Sequence, residues 1–310
     1  MSSDLSGGHM LRAAGDAALA IEQVSWVLIV GATVIFGGVM LLLAWALRRR
    51  GTPVRPLLWL AGGGVALPTV VLGALFAWSL PLSPVYKPVP PPGALVVAVT
   101  GRLWWWEVRY TGLNGADVIT ANEIRIPTGR AVYMALASAD VIHSFWVPAL
   151  AGKMDMVPGR VQHLLVRTST PGTWRGQCAE FCGEQHARMA LHVVAQAPVE
   201  FDAWLAGQAR PAPAPVSAQQ VRGLAAFTAQ RCDACHSVRG HTADSRLGPD
   251  LTHVGSRLHL GAGTLPAAPG AMAQWVAHVQ QLKPGARMPD YARLDSSTLA
   301  DLGAWLESLR

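Results

Sequence analysis

At 310 residues, 51% of them hydrophobic and with a mean hydropathy of +0.28, the chain is long enough for more than one domain and apolar enough to carry membrane segments. Its formal charge of +6 is modest, and the basic residues are scattered apart from Arg48, Arg49 and Arg50, which excludes a nucleic-acid-binding footprint. All four cysteines fall in two short motifs, so none is left for a structural disulfide if both motifs hold cofactors.

Residues 1–20 lack the charged start, long apolar core and small-residue cleavage site of a secretory signal. They are expected to form a flexible exported tail in which His9 is solvated, with helix beginning near Ala17. Residues 24–47 and 57–80 are uncharged apolar stretches, each long enough to cross the roughly 30 Å hydrocarbon core as a helix, and 21–81 is read as a transmembrane hairpin. Gly62, Gly63, Gly64 and Pro68 are tolerated better there than in a soluble helix. Two consecutive spans of full length argue against a buried soluble hairpin. Arg48, Arg49, Arg50 and Arg55 occupy the connection. The positive-inside rule puts that connection in the cytoplasm, and both termini and everything after Leu80 on the outer side, in the periplasm or its equivalent.

Residues 81–93 are proline-dense and predict an extended, stiff stalk. Short β-branched runs separated by turn signals follow, with alternation in RVQHLLVRT, and predict a small β-sandwich or barrel of about 110 residues within 82–206. Inside it, residues 178–189 read CAEFCGEQHARM, gathering Cys178, Cys182, His186 and Met189. Thiolates and a thioether favour copper, whereas tetrahedral zinc sites are built from Cys and His without Met. A Cys178–Cys182 disulfide is the competing reading, weakened by His and Met at ligand spacing. The cluster is expected on the loop between the last two strands. It is one ligand short for a pair of metals, and His143, in DVIHSFWVP, is expected on another loop at the same end to complete it.

Residues 207–216 (GQARPAPAPV) predict a semi-rigid Pro/Ala tether reaching about 30 Å. From 217 to 310 the pattern is helical: Ser217 is the expected N-cap of AQQVRGLAAFTAQ, followed by AMAQWVAHVQQL and STLADLGAWLESL. CDACH has the form of c-type haem attachment, with Cys232 and Cys235 bonded to the vinyl groups and His236 as proximal iron ligand. Met288, in the Pro/Gly-rich KPGARMPDY, is the expected sixth ligand in preference to Met272, which sits on a helical pattern. His241, His253, His259 and His278 read as surface or core residues, and Pro249 is expected to pack near His236. A segment this small has few core residues of its own, and a buried cofactor would supply the rest.

With His143 in DVIHSFWVP, the segment KMDMVPGR, and Cys178, Glu180, Cys182, His186 and Met189 in one cluster, the chain closely resembles subunit II of cytochrome c oxidase, the CuA subunit, in the form that carries a C-terminally fused cytochrome c. The resemblance implies a multidomain membrane protein: a two-helix transmembrane hairpin, a cupredoxin-like all-β CuA domain and an all-α, class I-like cytochrome c domain. It implies that Cys178 and Cys182 bridge two coppers, that His143 and His186 each bind one, that Met189 is a weak ligand and that Glu180 contributes its carbonyl. The Glu180 side chain would face a magnesium ion at the interface with subunit I. Trp104, in the run Trp104, Trp105, Trp106, would be the point where electrons arrive, while Trp105 and Trp106 are equally well read as core aromatics.

The implied function is that of an oxidoreductase subunit. It would pass electrons from its own haem c to the binuclear copper and on to subunit I, where oxygen is reduced to water with proton pumping. Subunit III, membrane lipid, and a soluble cytochrome c or a quinol-oxidising complex as donor are the further implied partners, with no nucleic acid. A nitric oxide reductase subunit sharing the copper motif and a copper-delivery protein are the alternatives. Two departures stand out: Arg55, Pro56 and Leu57 lie where many members carry a glutamate at a proton channel, so no proton-uptake role is assigned, and Trp105 replaces the usual tyrosine.

Overall fold

The computed structural model describes residues 12–49, 55–82, 89–113 and 116–310. The expected tail as far as residue 11 with His9, Arg50 in the basic connection, and residues 83–88 of the proline stalk lie outside the described residues. The chain divides into two compact units, one of residues 17–85 and one joining the residues before 17 to 86–310.

In the first unit, α1 (Asp16–Arg48) is a continuous helix of 33 residues. The second apolar run is helical throughout but changes pitch: α2 (Pro56–Leu58) passes into a π-helical stretch, Trp59–Ala66, then α3 (Leu67–Ser79) and a 3₁₀ turn, Leu80–Leu82. The Leu67 N–H reaches back five residues to Gly62 O, and the wide turn coincides with the three successive glycines, which resist tight helical winding least. Val34, Phe36, Leu41, Leu57, Leu72 and Phe76 are all exposed. Apolar surface of this extent, on two helices long and apolar enough to cross a membrane, is that of membrane anchors.

The second unit begins with a β-sandwich of two five-stranded sheets. Its strands are β1 (Leu95–Arg102), β2 (Trp105–Leu113), β3 (Ala116–Ala121), β4 (Glu123–Pro127), β5 (Val132–Ser138), β6 (His143–Trp146), β7 (Met154–Met156), β8 (Gln162–Val166), β9 (Gly172–Cys178) and β10 (Ala190–Gln196). One sheet runs β3-β2-β1-β5-β8, the other β4-β10-β9-β6-β7. The β1–β5 and β4–β10 pairs are parallel, so each sheet is mixed. β1 alternates buried and half-buried residues along its length, as a strand with one face on a core must. Val97, Val99, Trp106, Ile124, Met134, Leu136, Phe145 and Leu191 fill the space between the sheets. The run 94–108, which reads as one β segment, turns at Leu103 and Trp104 into β1 and β2. A helix, α4 (Pro198–Gln208), closes the sandwich and sets Phe201 and Trp204 against Tyr110.

Three expectations are corrected. His143 is the first residue of β6 rather than a loop residue, because its strand pairs on both sides, with β7 and β9. Residues 14–16 are held on the sandwich: Thr168 Oγ1 donates to Ala14 O (2.6 Å) and Asp16 N to Arg167 O (3.0 Å). The 207–216 segment is not a free tether. Its first two residues belong to α4, Ala212 is buried and its N–H donates to Arg239 O (2.9 Å), and Pro213 O lies 3.0 Å from His241 Nε2.

The C-terminal part packs α5 (Ala218–Ala229), α6 (Ala271–Leu282) and α7 (Ser296–Ser308) around Phe227, Val238, Val254, Trp305, Leu306 and Leu309. Ser217 Oγ accepts from Gln220 N (3.2 Å), the expected cap. A two-residue hairpin, β11 (His259–Leu260) with β12 (Leu265–Pro266), adds to the helices.

Candidate metal centre and haem-attachment motif

The soft-donor cluster forms because β9 ends at Cys178 and β6 runs beside it, with Phe145 opposite Cys178. His143, two residues before Phe145, therefore arrives next to the sulfur, its Nδ1 at 3.9 Å from Cys178 Sγ. The following loop returns to β10 through a backbone bond from Cys178 N to Met189 O (2.9 Å). Within it, Cys182 Sγ lies 3.8 Å from Cys178 Sγ, 3.6 Å from His186 Nδ1 and 3.8 Å from Met189 Sδ, and Glu180 O lies 3.2 Å from Cys178 Sγ. All six residues singled out in the sequence are thus brought together, and the two cysteines are free thiols. His143, Cys178, Cys182 and Met189 are buried, whereas His186 is half-buried.

Electrostatics couple the cluster internally. The hydrogen bond between the two sulfurs holds Cys178 well below the ordinary thiol range and pushes Cys182 up. Burial pulls His143 down, but the Cys178 sulfur and the Asp140 carboxylate outweigh it and raise the imidazole. Asp140 in turn accepts from Leu103 N (2.8 Å) and Val141 N (2.8 Å), and its Oδ1 lies 2.8 Å from His143 Nε2. A ring whose Nε2–H is committed to a carboxylate presents Nδ1 to a metal. Asp140 was not singled out in the sequence; the signal was there, since a ligand histidine usually has a carboxylate within reach and Asp140 stands three residues upstream.

Trp104 Nε1 donates to Cys182 O (2.8 Å), placing the indole against the loop of the soft-donor cluster. Gly183, at φ 106°, makes room: a Cβ there would stand 3.3 Å from Trp104 Cζ2. The two neighbouring tryptophans separate in role. Trp106 is core, edge-on to Phe145, while Trp105 lies half-buried under the Arg102 guanidinium. The Glu180 carboxylate faces the other way, 3.4 Å from Lys153 Nζ, which also holds Asp155 (3.0 Å).

In the C-terminal part, Cys232 opens a 3₁₀ turn and His236 N closes on Cys232 O (3.0 Å). His236 Nδ1 donates to Pro249 O (2.7 Å), so Pro249 does contact it, and the lone pair of Nε2 is left for a metal. Burial pulls this imidazole below its ordinary range. Cys232 is half-buried against the helical core and Cys235 is exposed. Met288 lies on the loop between α6 and α7, half-buried against the same core, and Gln280 Nε2 holds that loop through Ala286 O and Met288 O, both at 2.7 Å. Tyr291 Oη reaches Gln230 O (3.5 Å), which turns the loop toward the CDACH turn. Met272 is buried on α6, as its helical spacing implied.

A β-sandwich with a buried soft-donor cluster at one end is joined to a helical part bearing a CXXCH motif, two donor sets of the kind that hold soft metals and haem. Residues 113–197 match the family described as Cytochrome C oxidase subunit II, periplasmic domain, and residues 220–310 match the family described as Cytochrome c. The chain is 33% identical over 246 residues to cytochrome c oxidase subunit 2 of Alkalihalophilus pseudofirmus, covering 79% of this chain and 69% of that one. It is 30% identical over 227 residues to the Bacillus subtilis subunit, covering 70% and 63%. Among solved structures, the periplasmic domain of subunit II of cytochrome oxidase of Bradyrhizobium japonicum is 27% identical with a TM-score of 0.36, covering 39% of this chain and 96% of that one. The chain belongs to the cytochrome c oxidase subunit 2 family and carries a cytochrome c domain at its C-terminal end.

Proposed function

We propose that the chain is the electron-transfer subunit II of a haem-copper cytochrome c oxidase. The observation that carries the reading is the convergence of two thiols, two imidazole Nδ1 atoms, a thioether and a carbonyl at one buried end of the sandwich. This donor set fits a copper pair: soft sulfur predominates and no ligand carboxylate is present in it. When bound, a copper pair and a haem c supply one-electron redox chemistry. In this reading Cys178, Cys182, His143 and His186 through Nδ1, Met189 through its thioether and Glu180 through its carbonyl would hold the copper pair. Asp140 would fix the His143 ring, which is itself buried and lies 6.2 Å centroid to centroid from the buried Trp106. Cys232, Cys235, His236 and Met288 would hold haem c, with His236 oriented by Pro249 O.

Electrons would run from the C-terminal domain, past Trp104, to the sandwich, and then to a catalytic partner subunit that reduces oxygen to water and pumps protons. The exposed Phe181 (76%), with Val141 and Ile142 beside His143, supplies an apolar surface at the cluster end for such a partner. Glu180, paired with Lys153, is the group on that surface that would approach a magnesium ion. Subunit III, membrane lipid, a periplasmic setting for both redox domains, and a soluble cytochrome c or quinol-oxidising complex as donor complete the proposal.

Copper titration of the full, detergent-solubilised chain tests it. Two coppers per chain are expected, with binding lost in Cys178→Ser and Cys182→Ser; one exchangeable copper per chain would contradict the reading and favour copper delivery.

A further inference from the structure

Lys283 follows α6 and is 4% exposed, yet it has no carboxylate partner among the described residues. Its Nζ donates instead to three backbone carbonyls from three separate segments: Trp104 O in the β1–β2 turn (2.7 Å), Arg188 O in the loop of the soft-donor cluster (2.8 Å) and Gly261 O between β11 and β12 (2.9 Å). An ammonium has three donors, and all three are used. Burial pulls Lys283 down to about 7, and the three carbonyls, by accepting from its protonated form, offset that cost, so the position is that of a device that holds these segments together.

The surrounding contacts converge on the same seam. Arg188 Nη1 donates back to Leu282 O (2.6 Å), Ala190 N donates to Ala262 O (3.0 Å), and the rings of His192 and His259 stack 4.1 Å apart. Leu258 N donates to Glu123 Oε2 (2.9 Å). From Lys283 a hydrogen-bonded path continues through Trp104, whose indole donates to Cys182 O. Lys283 also stands five residues before Met288 in the same loop region.

We propose that Lys283 is a positioning residue that pins the C-terminal domain and Trp104 onto the cluster loop, so that the donor domain works from a fixed dock rather than from a swinging tether. This rests on the electron-transfer reading above for its purpose, but the pin itself is a matter of hydrogen bonds. Lysine suits the place because a compact point charge can converge on three carbonyls, which a planar guanidinium fork cannot do.

The test uses the full chain in detergent and two variants. Lys283→Met keeps the aliphatic stem and removes every donor; Lys283→Gln keeps two and guards against a Met variant that fails to fold. Hydrogen exchange at the Ala190 amide is expected to quicken about tenfold or more in Lys283→Met and by an intermediate factor in Lys283→Gln, with β5 amides unchanged as the fold control. Exchange at Ala190 within about twofold of the parent in both variants would overturn the pin. In the copper- and haem-loaded chain, electron redistribution between the domains after flash reduction should be independent of solvent viscosity in the parent and viscosity-dependent in the variants, since redocking then gates it. Quickened exchange with unchanged viscosity independence would reduce Lys283 to a structural role and overturn positioning. The exchange arm needs neither metal nor haem, so failure of the chain to take a copper pair sinks the functional reading without deciding the pin.

Discussion

His143 Nε2 and Asp140 Oδ1 lie 2.8 Å apart, and with Nε2 engaged there Nδ1 is the nitrogen turned toward Cys178 Sγ, at 3.9 Å. Replacing Asp140 by Asn keeps the shape but removes the charge that orients the imidazole and makes it basic. Copper affinity in Asp140→Asn is expected to fall about 10–100-fold in a competition titration against a chelator. An unchanged affinity would show that the strand alone sets the ring.

Gly101 sits directly beneath the same ring: a Cβ built there would stand 2.7 Å from His143 Cδ2 and 2.9 Å from its Cγ. Neither group can retreat easily, since Gly101 pairs with both β2 and β5 and His143 is fully buried. Gly101→Ala is therefore expected to cost about 1–3 kcal/mol in denaturant unfolding and to weaken copper binding together with stability. Equal stability of parent and variant would mean the ring shifts without resistance.

Much of this arrangement is legible in the sequence, and the reasons for the gaps are physical. Cys178, Cys182, His186 and Met189 announce themselves because soft ligands at loop spacing have few other uses, and Ser217 and Met272 follow from capping and helical periodicity. The pitch change in the second apolar helix hides behind its hydropathy, although Gly62, Gly63 and Gly64 mark where it falls. β7 escapes because three residues, Met154–Met156, are too few for a period to show. The 207–216 segment reads as a tether by composition, but composition cannot report that Arg239 reaches Gln208 O or that Ala212 N pairs with Arg239 O. Lys283 carries no local signal at all, because its three partners are carbonyls distant in sequence.

The haem ligand assignment separates cleanly from core packing. Met288→Ala should convert a low-spin, Met-ligated spectrum into a high-spin or misligated one at little cost in stability. Met272→Ala should leave the spectrum intact while losing about 2–5 kcal/mol, the usual range for truncating a buried methionine. Visible and near-infrared absorption of the reconstituted chain distinguishes them, and an unchanged spectrum in Met288→Ala would transfer the role elsewhere.

Acid should loosen the seam between the sandwich and the C-terminal domain. Burial pushes His192 down to about 4, with His259 and Arg175 acting in the same direction, and burial also lowers its stacked partner His259. The folded chain therefore binds this proton less readily than the unfolded chain, so stability present above about pH 6.5 is lost as pH falls from about 6.5 toward 4. For His192 the loss approaches about 3 kcal/mol. Denaturant midpoints at pH 7 and pH 5 should differ less in His192→Gln than in the parent; an equal difference would remove His192 from the acid response.

The central claim, a copper pair bridged by Cys178 and Cys182, is tested most directly by electron paramagnetic resonance of the copper-loaded full chain. The account predicts hyperfine structure from one unpaired electron shared equally by two copper nuclei, abolished in Cys178→Ser. A spectrum with the hyperfine pattern of a single copper nucleus would contradict it.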